Sequence, residues 1–255
     1  SVIDATKTMQ IALWRGVRDV DTLSTLSQKR GAPSLALLAS DRIRMTAVPT
    51  TLSAAEFTGG AGITDLQRKV KMHFRHPLMV PATVIMDPAA TLETPMELFL
   101  STGMRAMDHA VERWCSIRPH PLAEGLAQQA MEMLAANMPA VKACPDELEA
   151  RLNCQLGAWL TMVAPAALVP NGASHGIGYI LGGYAGVPHG ITSCISLHAT
   201  LQWNEPVNAG RQKIVAEKQA AHNGASETTK VTVQFRDAAI ADKTAYDQAK
   251  AAGAQ

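Results

Sequence analysis

The sequence predicts an α/β segment followed by an all-helical body, and three observations carry this. Short apolar runs alternate with helical stretches before residue 90, and a 3.6-residue period dominates after it. Aromatic residues make up only 4% of the 255, while Ala, Leu, Met and Val abound, which suits packed helices and argues against an all-β sandwich. Hydrophobic residues reach 47% against 18% charged, enough for a substantial core. The expected division is residues 1–90, residues 91–221 and a polar tail, 222–255.

Taken in order, the chain opens on Ser1-Val2-Ile3-Asp4, a helix start. Leu35–Ala39 and Met45–Val48 each read as a strand or strand edge. Thr83–Met86, a β-branched run between Pro81 and Pro88, reads as a buried strand. Thr94-Pro95-Met96-Glu97 predicts a helix with Thr94 as N-cap, Pro95 at the first helical position and Glu97 completing a capping box. Its apolar face runs through Leu98, Leu100, Met104, Met107, Ala110, Val111 and Trp114 to Cys115. A second helix is expected over Pro121–Asn137, stopped by Pro139. A third is expected over Pro145–Val163, with Asp146, Glu147 and Glu149 at its positive dipole end. A Gly-rich segment, Asn171–Gly190, follows. From His222 the chain shows no sustained apolar face, and a loosely packed tail is expected there.

Composition excludes several classes. A net charge of +1 is no nucleic-acid footprint. No apolar stretch reaches the roughly 18 residues a membrane span needs. Residues 1–13 carry no cleavage site, so no signal peptide is expected. Cys115, Cys144, Cys154 and Cys194 match neither a zinc ribbon nor a CxxC motif, and they read as reduced, mostly buried thiols of a cytoplasmic protein. The partners expected are a small-molecule substrate and a second copy of the chain as a homodimer, with neither nucleic acid nor membrane.

Three of the eight histidines stand out. His109 lies inside the first long helix, and His175 and His189 are each followed by glycine, which lets a backbone or ligand come close. Imidazoles from separate elements can hold an open metal site. His73, His76, His120, His198 and His222 read as surface or satisfied core residues. Four residues before His109, on the same helical face, stands Arg105, a guanidinium that repels a dication but can supply fixed positive charge to a substrate oxygen or carboxylate. Asp108 points about 100° away from His109 around the helix and reads as a poor co-ligand, a surface or supporting residue. For phosphates, a helix N-terminus at Ser1 with Asp4, the hydroxyls of Thr50 and Thr51 after Pro49, and Lys71 are candidates.

Together these residues resemble the iron-containing alcohol dehydrogenase superfamily. Ser1-Val2-Ile3-Asp4 is similar to the end of its Gly-Gly-Gly-Ser-x-x-Asp pyrophosphate motif, and Val48-Pro49-Thr50-Thr51 with Glu56 resembles its nucleotide loop. Asp87-Pro88 with Thr91 resembles a strand-to-helix junction. Thr102-Gly103 through His109-Ala110-Val111-Glu112, then His175 and His189-Gly190, match the site motifs in order and spacing. The resemblance covers residues 1–209. It implies a partial dinucleotide-binding α/β domain, an all-helical domain, and NAD or NADP as cofactor in the cleft between them. It places Ser1, Asp4, Thr50, Thr51, Lys71 and Thr91 on the cofactor side, and His109, His175 and His189 at three of four iron or zinc ligand positions.

Two departures bear on function. The family's aspartate ligand is Arg105 here, and a further active-site histidine is Tyr179. Both resemble the maleylacetate reductase branch, which reduces a carbon–carbon double bond of a dicarboxylate in aromatic-compound degradation and is not thought to need a metal. The resemblance thus implies hydride transfer between nicotinamide and a small carbonyl, alcohol or unsaturated dicarboxylate. Arg105, His109, His175 and His189 would bind the substrate, and His175 or Tyr179 would relay a proton. The alternatives are a metal-dependent alcohol dehydrogenase and a non-catalytic helical module. The family's strands and glycines before Ser1 are missing, so an N-terminally truncated chain with weak cofactor affinity is expected.

Overall fold

The computed structural model describes residues 2–28, 33, 35–36, 43–65, 67–68, 70–163 and 169–223, the side chains of 189 and 218–223 excepted. The chain divides into two units, one of Ser1–Pro49 with Ala54–Ala90 and one of Thr50–Ser53 with Thr91–Gln255. The expected strand at Leu35–Ala39 lies largely outside the described residues, as does everything beyond Asn223.

In the first unit, helix α1 (Val2–Arg15) buries Lys7, Thr8, Gln10, Ile11 and Trp14, one stripe at helical spacing. Gly16 ends it at φ +65°, a left-handed conformation that costs glycine nothing. Asp19 caps the short α2 (Val20–Thr25) by accepting from Thr22 N at 2.7 Å. Strands β2 (Gly60–Asp65) and β3 (Val70–Arg75) form an antiparallel hairpin, from Gly60 opposite Arg75 to Asp65 opposite Val70. The Asp65 carboxylate fixes its turn by accepting from Gln67 N and Arg68 N. Ile11 and Trp14 pack on Ala61, Met72, Phe74 and Met79 to make this unit's core. The sequence reading missed the hairpin, although alternation at Val70, Met72 and Phe74 signals it.

Strand β1 (Thr46–Ala47) pairs in parallel with β4 (Thr83–Val84). Thr83–Met86 is therefore a strand in part, but it is not buried. Thr83 and Ile85 are exposed and Val84 and Met86 half-buried, because β1 is its one sheet neighbour among the described residues.

A buried cation pins the first unit together. The Lys7 ammonium is fully buried and donates to the carbonyls of Ala55 (2.6 Å), Thr58 (2.6 Å) and Gly60 (3.1 Å), which uses its three protons. Burial lowers its pKa to about 8, and burial raises the neighbouring Glu56 carboxyl to about 7.

The second unit is helical. Helix α3 (Met96–Trp114) starts one residue later than the sequence predicts, with Pro95 and not Thr94 as its N-cap. The Thr94 hydroxyl is spent elsewhere, on the carbonyl of Thr50 at 2.9 Å. Helix α4 (Pro121–Ala143) runs through Pro139 instead of stopping there. Burial of Leu134, Ala135, Met138 and Val141 on both sides of the proline offsets the lost backbone bond. Helix α5 (Leu148–Leu160) is shorter than expected at both ends, with Glu147 capping it through Glu149 N at 3.2 Å. Gly157 lets α5 approach α4, since a Cβ there would stand 3.0 Å from Leu134. The Gly-rich segment forms helix α6 (Ala173–Tyr184), and α7 (His189–Asn223) breaks helical geometry at Asn208, two residues after Pro206. No described helix is long and apolar enough to cross a membrane.

Two predictions follow from the Lys7 anchor. Lys7→Met takes the ammonium from three carbonyls, of which Ala55 keeps the Thr58 N–H and hydroxyl as donors, and lowers unfolding stability by about 3 kcal/mol in urea denaturation; a loss under about 1 kcal/mol would refute the anchor. Glu56 has its folded pKa raised, so its contribution is full below about pH 4.5 and is lost as pH rises through about 7. Glu56→Gln should flatten that part of the stability curve, worth about 3 kcal/mol at most. An unchanged slope assigns the dependence to another group.

Candidate active site

Helix α3 is buried around nearly its whole circumference, from Thr102 through Arg113. The apolar face expected from the sequence is buried from Leu100 to Val111, with Leu98 exposed, but its polar side is not solvated. Arg105, Asp108, His109 and Glu112 recur at intervals of three and four, which stacks them on one face. All four are buried, Asp108 completely. Asp108 is therefore no surface residue, and Asp108 and Glu112 are the site residues that the sequence reading did not select. The signal available was their i, i+4 spacing inside a long helix with no free face.

Helix α6 presents His175 to this stripe. Its Nε2 lies 3.4 Å from His109 Nε2, with ring centroids 4.2 Å apart. Its Nδ1 is 2.6 Å from Glu112 Oε2 and 3.4 Å from Asp108 Oδ2. Glu112 also caps α6, since Oε2 accepts from Gly172 N at 2.8 Å and Oε1 from Ser174 N at 2.7 Å. Asp108 Oδ2 accepts from the Ser174 hydroxyl at 2.8 Å, which in turn meets Ser196 of α7 at 2.9 Å. Arg105 Nη1 donates to Ser193 Oγ of α7 at 3.0 Å. Gly178 leaves it room, because a Cβ there would stand 2.9 Å from Thr192 and 3.4 Å from Arg105 Nη1.

The charges shape one another. Burial, then His175, Arg113 and Arg105, hold the His109 pKa well below its usual value, so this ring is neutral near pH 7. Burial raises both carboxyls, Asp108 and Glu112. Burial lowers Arg113 to about 10, against the pull of Glu112 and Asp108. Two guanidiniums thus share this buried site with two carboxylates and two imidazoles.

The two histidines of the expected trio whose side chains are described do converge. His189 opens α7, and its side chain lies outside the described residues. Tyr179 sits one helical turn after His175, half-buried. Thr50 is exposed and Thr51 half-buried, with Thr51 Oγ1 3.3 Å from Ser53 Oγ. Lys71 lies on β3 opposite Thr64, half-buried, and Asp4 lies in the first turn of α1. Ser1 is outside the described residues. Thr91 is fully buried, and its carbonyl and hydroxyl both accept from Arg151 Nη1 at 2.9 Å. It ties the start of the helical unit to α5. Cys115, Cys154 and Cys194 are buried free thiols, pushed up by burial to about 11, 12 and 11, and Cys144 is exposed.

A separation of 3.4 Å between two Nε2 atoms suits a shared tetrahedral ion, whose ligand nitrogens stand about 3.4 Å apart at bond lengths of about 2.1 Å. The charges around them do not suit it. Arg105, 3% exposed, puts a fixed cation on the same face. Asp108, Glu112 and His175 bring ligand atoms within 4.8 Å of one another. Both Glu112 oxygens, however, already accept backbone N–H groups and His175, and Asp108 holds Ser174. The described donor set does not fit a divalent ion.

The comparisons with known proteins agree on the fold. The model of the iron-containing alcohol dehydrogenase family matches residues 1–88, and that of the C-terminal part of the Fe-containing alcohol dehydrogenase family matches residues 99–243. The chain is 32% identical over 194 residues to maleylacetate reductase of Pseudomonas sp. (strain P51), covering 74% of this chain and 54% of that one. The crystal structure of maleylacetate reductase from Rhizobium sp. strain MTP-10005 superposes with a TM-score of 0.64 at 27% identity, over 77% of this chain and 54% of that one. That of sulfoacetaldehyde reductase from Bifidobacterium kashiwanohense in complex with NAD+ shares the fold, with a TM-score of 0.71 at 23% identity over 92% and 59%. The chain spans about half the length of the curated relatives it matches.

The clamp on α6 makes opposite predictions for two glycines. A Cβ at Gly172 would stand 2.7 Å from Glu112 Oε1, so Gly172→Ala displaces the carboxylate and destabilises by about 1–3 kcal/mol. Gly176, inside α6 with nothing within 4 Å of its Cβ position, gains by up to about 1 kcal/mol as Ala. Thermal melts compare the two; equal shifts would show that Glu112 does not clamp the helix.

Proposed function

Because this chain belongs to the iron-containing alcohol dehydrogenase family, we propose that it binds a nicotinamide cofactor and serves a metal-independent reductase reaction of the maleylacetate reductase kind. The observation that carries this reading is the convergence of the His109 and His175 Nε2 atoms beside Arg105, where the family's aspartate ligand would stand. The proposed substrate is a small carbonyl compound or unsaturated dicarboxylate. The cofactor, when bound, supplies the hydride. Arg105 offers a fixed positive charge toward an oxygen or carboxylate where negative charge develops. His109, held neutral, adds polar contact without electrostatic cost, and His175 or Tyr179 returns the proton to the reduced substrate. The exposed Thr50, with Thr51, suits hydrogen bonding to phosphate or ribose oxygens, and Lys71 offers a cation to a phosphate.

The test is turnover of NADH and NADPH by the purified chain with maleylacetate and with short aldehydes. Oxidation of the reduced cofactor with maleylacetate after chelator treatment supports the reading, whereas activity restored only by added iron or zinc overturns its metal-independent part. For the cofactor, Thr50→Ala should weaken binding about fivefold if its hydroxyl makes one hydrogen bond to it. Calorimetric titration reads this, and an unchanged Kd removes Thr50 from the cofactor site. For the metal, elemental analysis should find well under one iron or zinc per chain, and Arg105→Asp should raise that content. A full equivalent in the unaltered chain would sink the assignment of Arg105.

A further inference from the structure

We infer that Thr102 is a positioning residue for the cofactor: its buried hydroxyl fastens the Thr50–Ser53 loop to helix α3 and so sets where the Thr50 and Thr51 hydroxyls stand. The role rests on the cofactor reading proposed above, which gives those two hydroxyls to a phosphate or a ribose.

Residues Thr50–Ser53 belong to the helical unit, although the chain on either side of them belongs to the other. Three contacts account for that. The backbone N–H of Leu52 donates to Thr102 Oγ1 at 3.0 Å. The Thr94 hydroxyl donates to the carbonyl of Thr50 at 2.9 Å. The Leu52 side chain is buried, and Gly103 admits it, because a Cβ there would stand 3.0 Å from Leu52 Cδ1. Chemistry fixes the direction of both bonds, since an amide N–H only donates and a carbonyl only accepts. Thr102 Oγ1 directs its own proton into α3, toward the carbonyls of Leu98 (2.8 Å) and Phe99 (2.9 Å), and turns a lone pair to Leu52. A valine of the same shape has no lone pair and would leave the buried Leu52 N–H without that acceptor.

The hydroxyls assigned to the cofactor lie between and beside these fastenings. Thr50 is exposed, and Thr51 is half-buried with Oγ1 3.3 Å from Ser53 Oγ. A shift of Leu52 carries both with it. Helix α3 bears the substrate side as well. Thr102, Arg105 and His109 follow at spacings of three and four on one face. At 1.5 Å per residue, Arg105 lies about 4.5 Å and His109 about 10 Å farther along the axis than Thr102. One buried helix thus holds the loop that grips the cofactor and the cation that meets the substrate, and Thr102 is the joint between them.

The experiment pairs amide hydrogen exchange with calorimetric titration of NADH into the full chain. The Leu52 amide should be protected in the unaltered protein, and Thr102→Val should expose it while the amides of α3 stay protected. The same variant should weaken NADH binding about fivefold, as for one lost hydrogen bond at the loop, and Thr102→Ser, which keeps the acceptor, should restore it. A double-mutant cycle separates positioning from general destabilisation. In a chain already carrying Thr50→Ala and Thr51→Ala, Thr102→Val should weaken NADH by less than about twofold. An equal loss in both backgrounds overturns the inference, as does an unchanged Kd in Thr102→Val or a freely exchanging Leu52 amide in the unaltered protein. If Thr102→Val does not fold, Thr94→Val at the exposed fastening takes its place. It should weaken NADH about twofold, and no change there overturns the inference. Failure of NADH to bind the unaltered chain defeats the cofactor reading itself, and the role of Thr102 with it, whatever the Leu52 amide shows.

Discussion

The second unit is organised by one constraint: α3 is buried on nearly every side and still carries two guanidiniums, two carboxylates and an imidazole. Ions moved out of water cost several kcal/mol each unless they meet opposite charge and hydrogen-bond partners. Here Arg105 and Arg113 offset Asp108 and Glu112, and His109 stays neutral. The neighbouring helices complete the arrangement. The first turn of α6 gives its N–H groups and His175 to Glu112, and α7 gives Ser193 to Arg105. Removing one ion would leave its partner stranded, so the packing of α6 and α7 and the geometry of the site are one interdependent arrangement.

The first unit follows the same rule on a smaller scale. Lys7 is buried because its ammonium donates to three carbonyls, those of Ala55, Thr58 and Gly60. Lys7, Ile11 and Trp14 share one buried stripe at helical spacing, although the residue type alone would put Lys7 outside.

How much was legible in the sequence depended on the kind of signal. The 3.6-residue period located α3, α4 and α5, and errors fell at their ends, where local signals yielded to tertiary partners. Thr94 looks like a cap but bonds Thr50, and Pro139 looks like a stop but lies between buried Met138 and Val141. Motif spacing brought His109 and His175 together across 66 residues, which no periodicity argument could do. Asp108 reads as a poor co-ligand because it points about 100° from His109, and Glu112 stands out by no spacing to a metal motif, yet both are buried beside His175. Only packing α3 on both sides turns that side of the helix inward. Thr91, which the resemblance puts on the cofactor side, is buried and accepts from Arg151, a partner that no local signal announces.

Charge neutrality also accounts for the arginine where the family's pattern has an aspartate. With an acidic residue at position 105, the buried face would hold three carboxylates against one guanidinium, a deficit of two positive charges that a divalent ion bound at the histidines would cancel. With Arg105 the balance closes without any ion. The two states are alternative solutions to the same electrostatic problem, one using an exchangeable cation and one a covalently tethered one. On this view the exchange at position 105 needs no compensating change at Asp108, Glu112 or Arg113, and both histidines can keep their places. Beside Arg105 the two imidazoles meet Nε2 to Nε2 at 3.4 Å, a contact in which one ring donates and the other accepts.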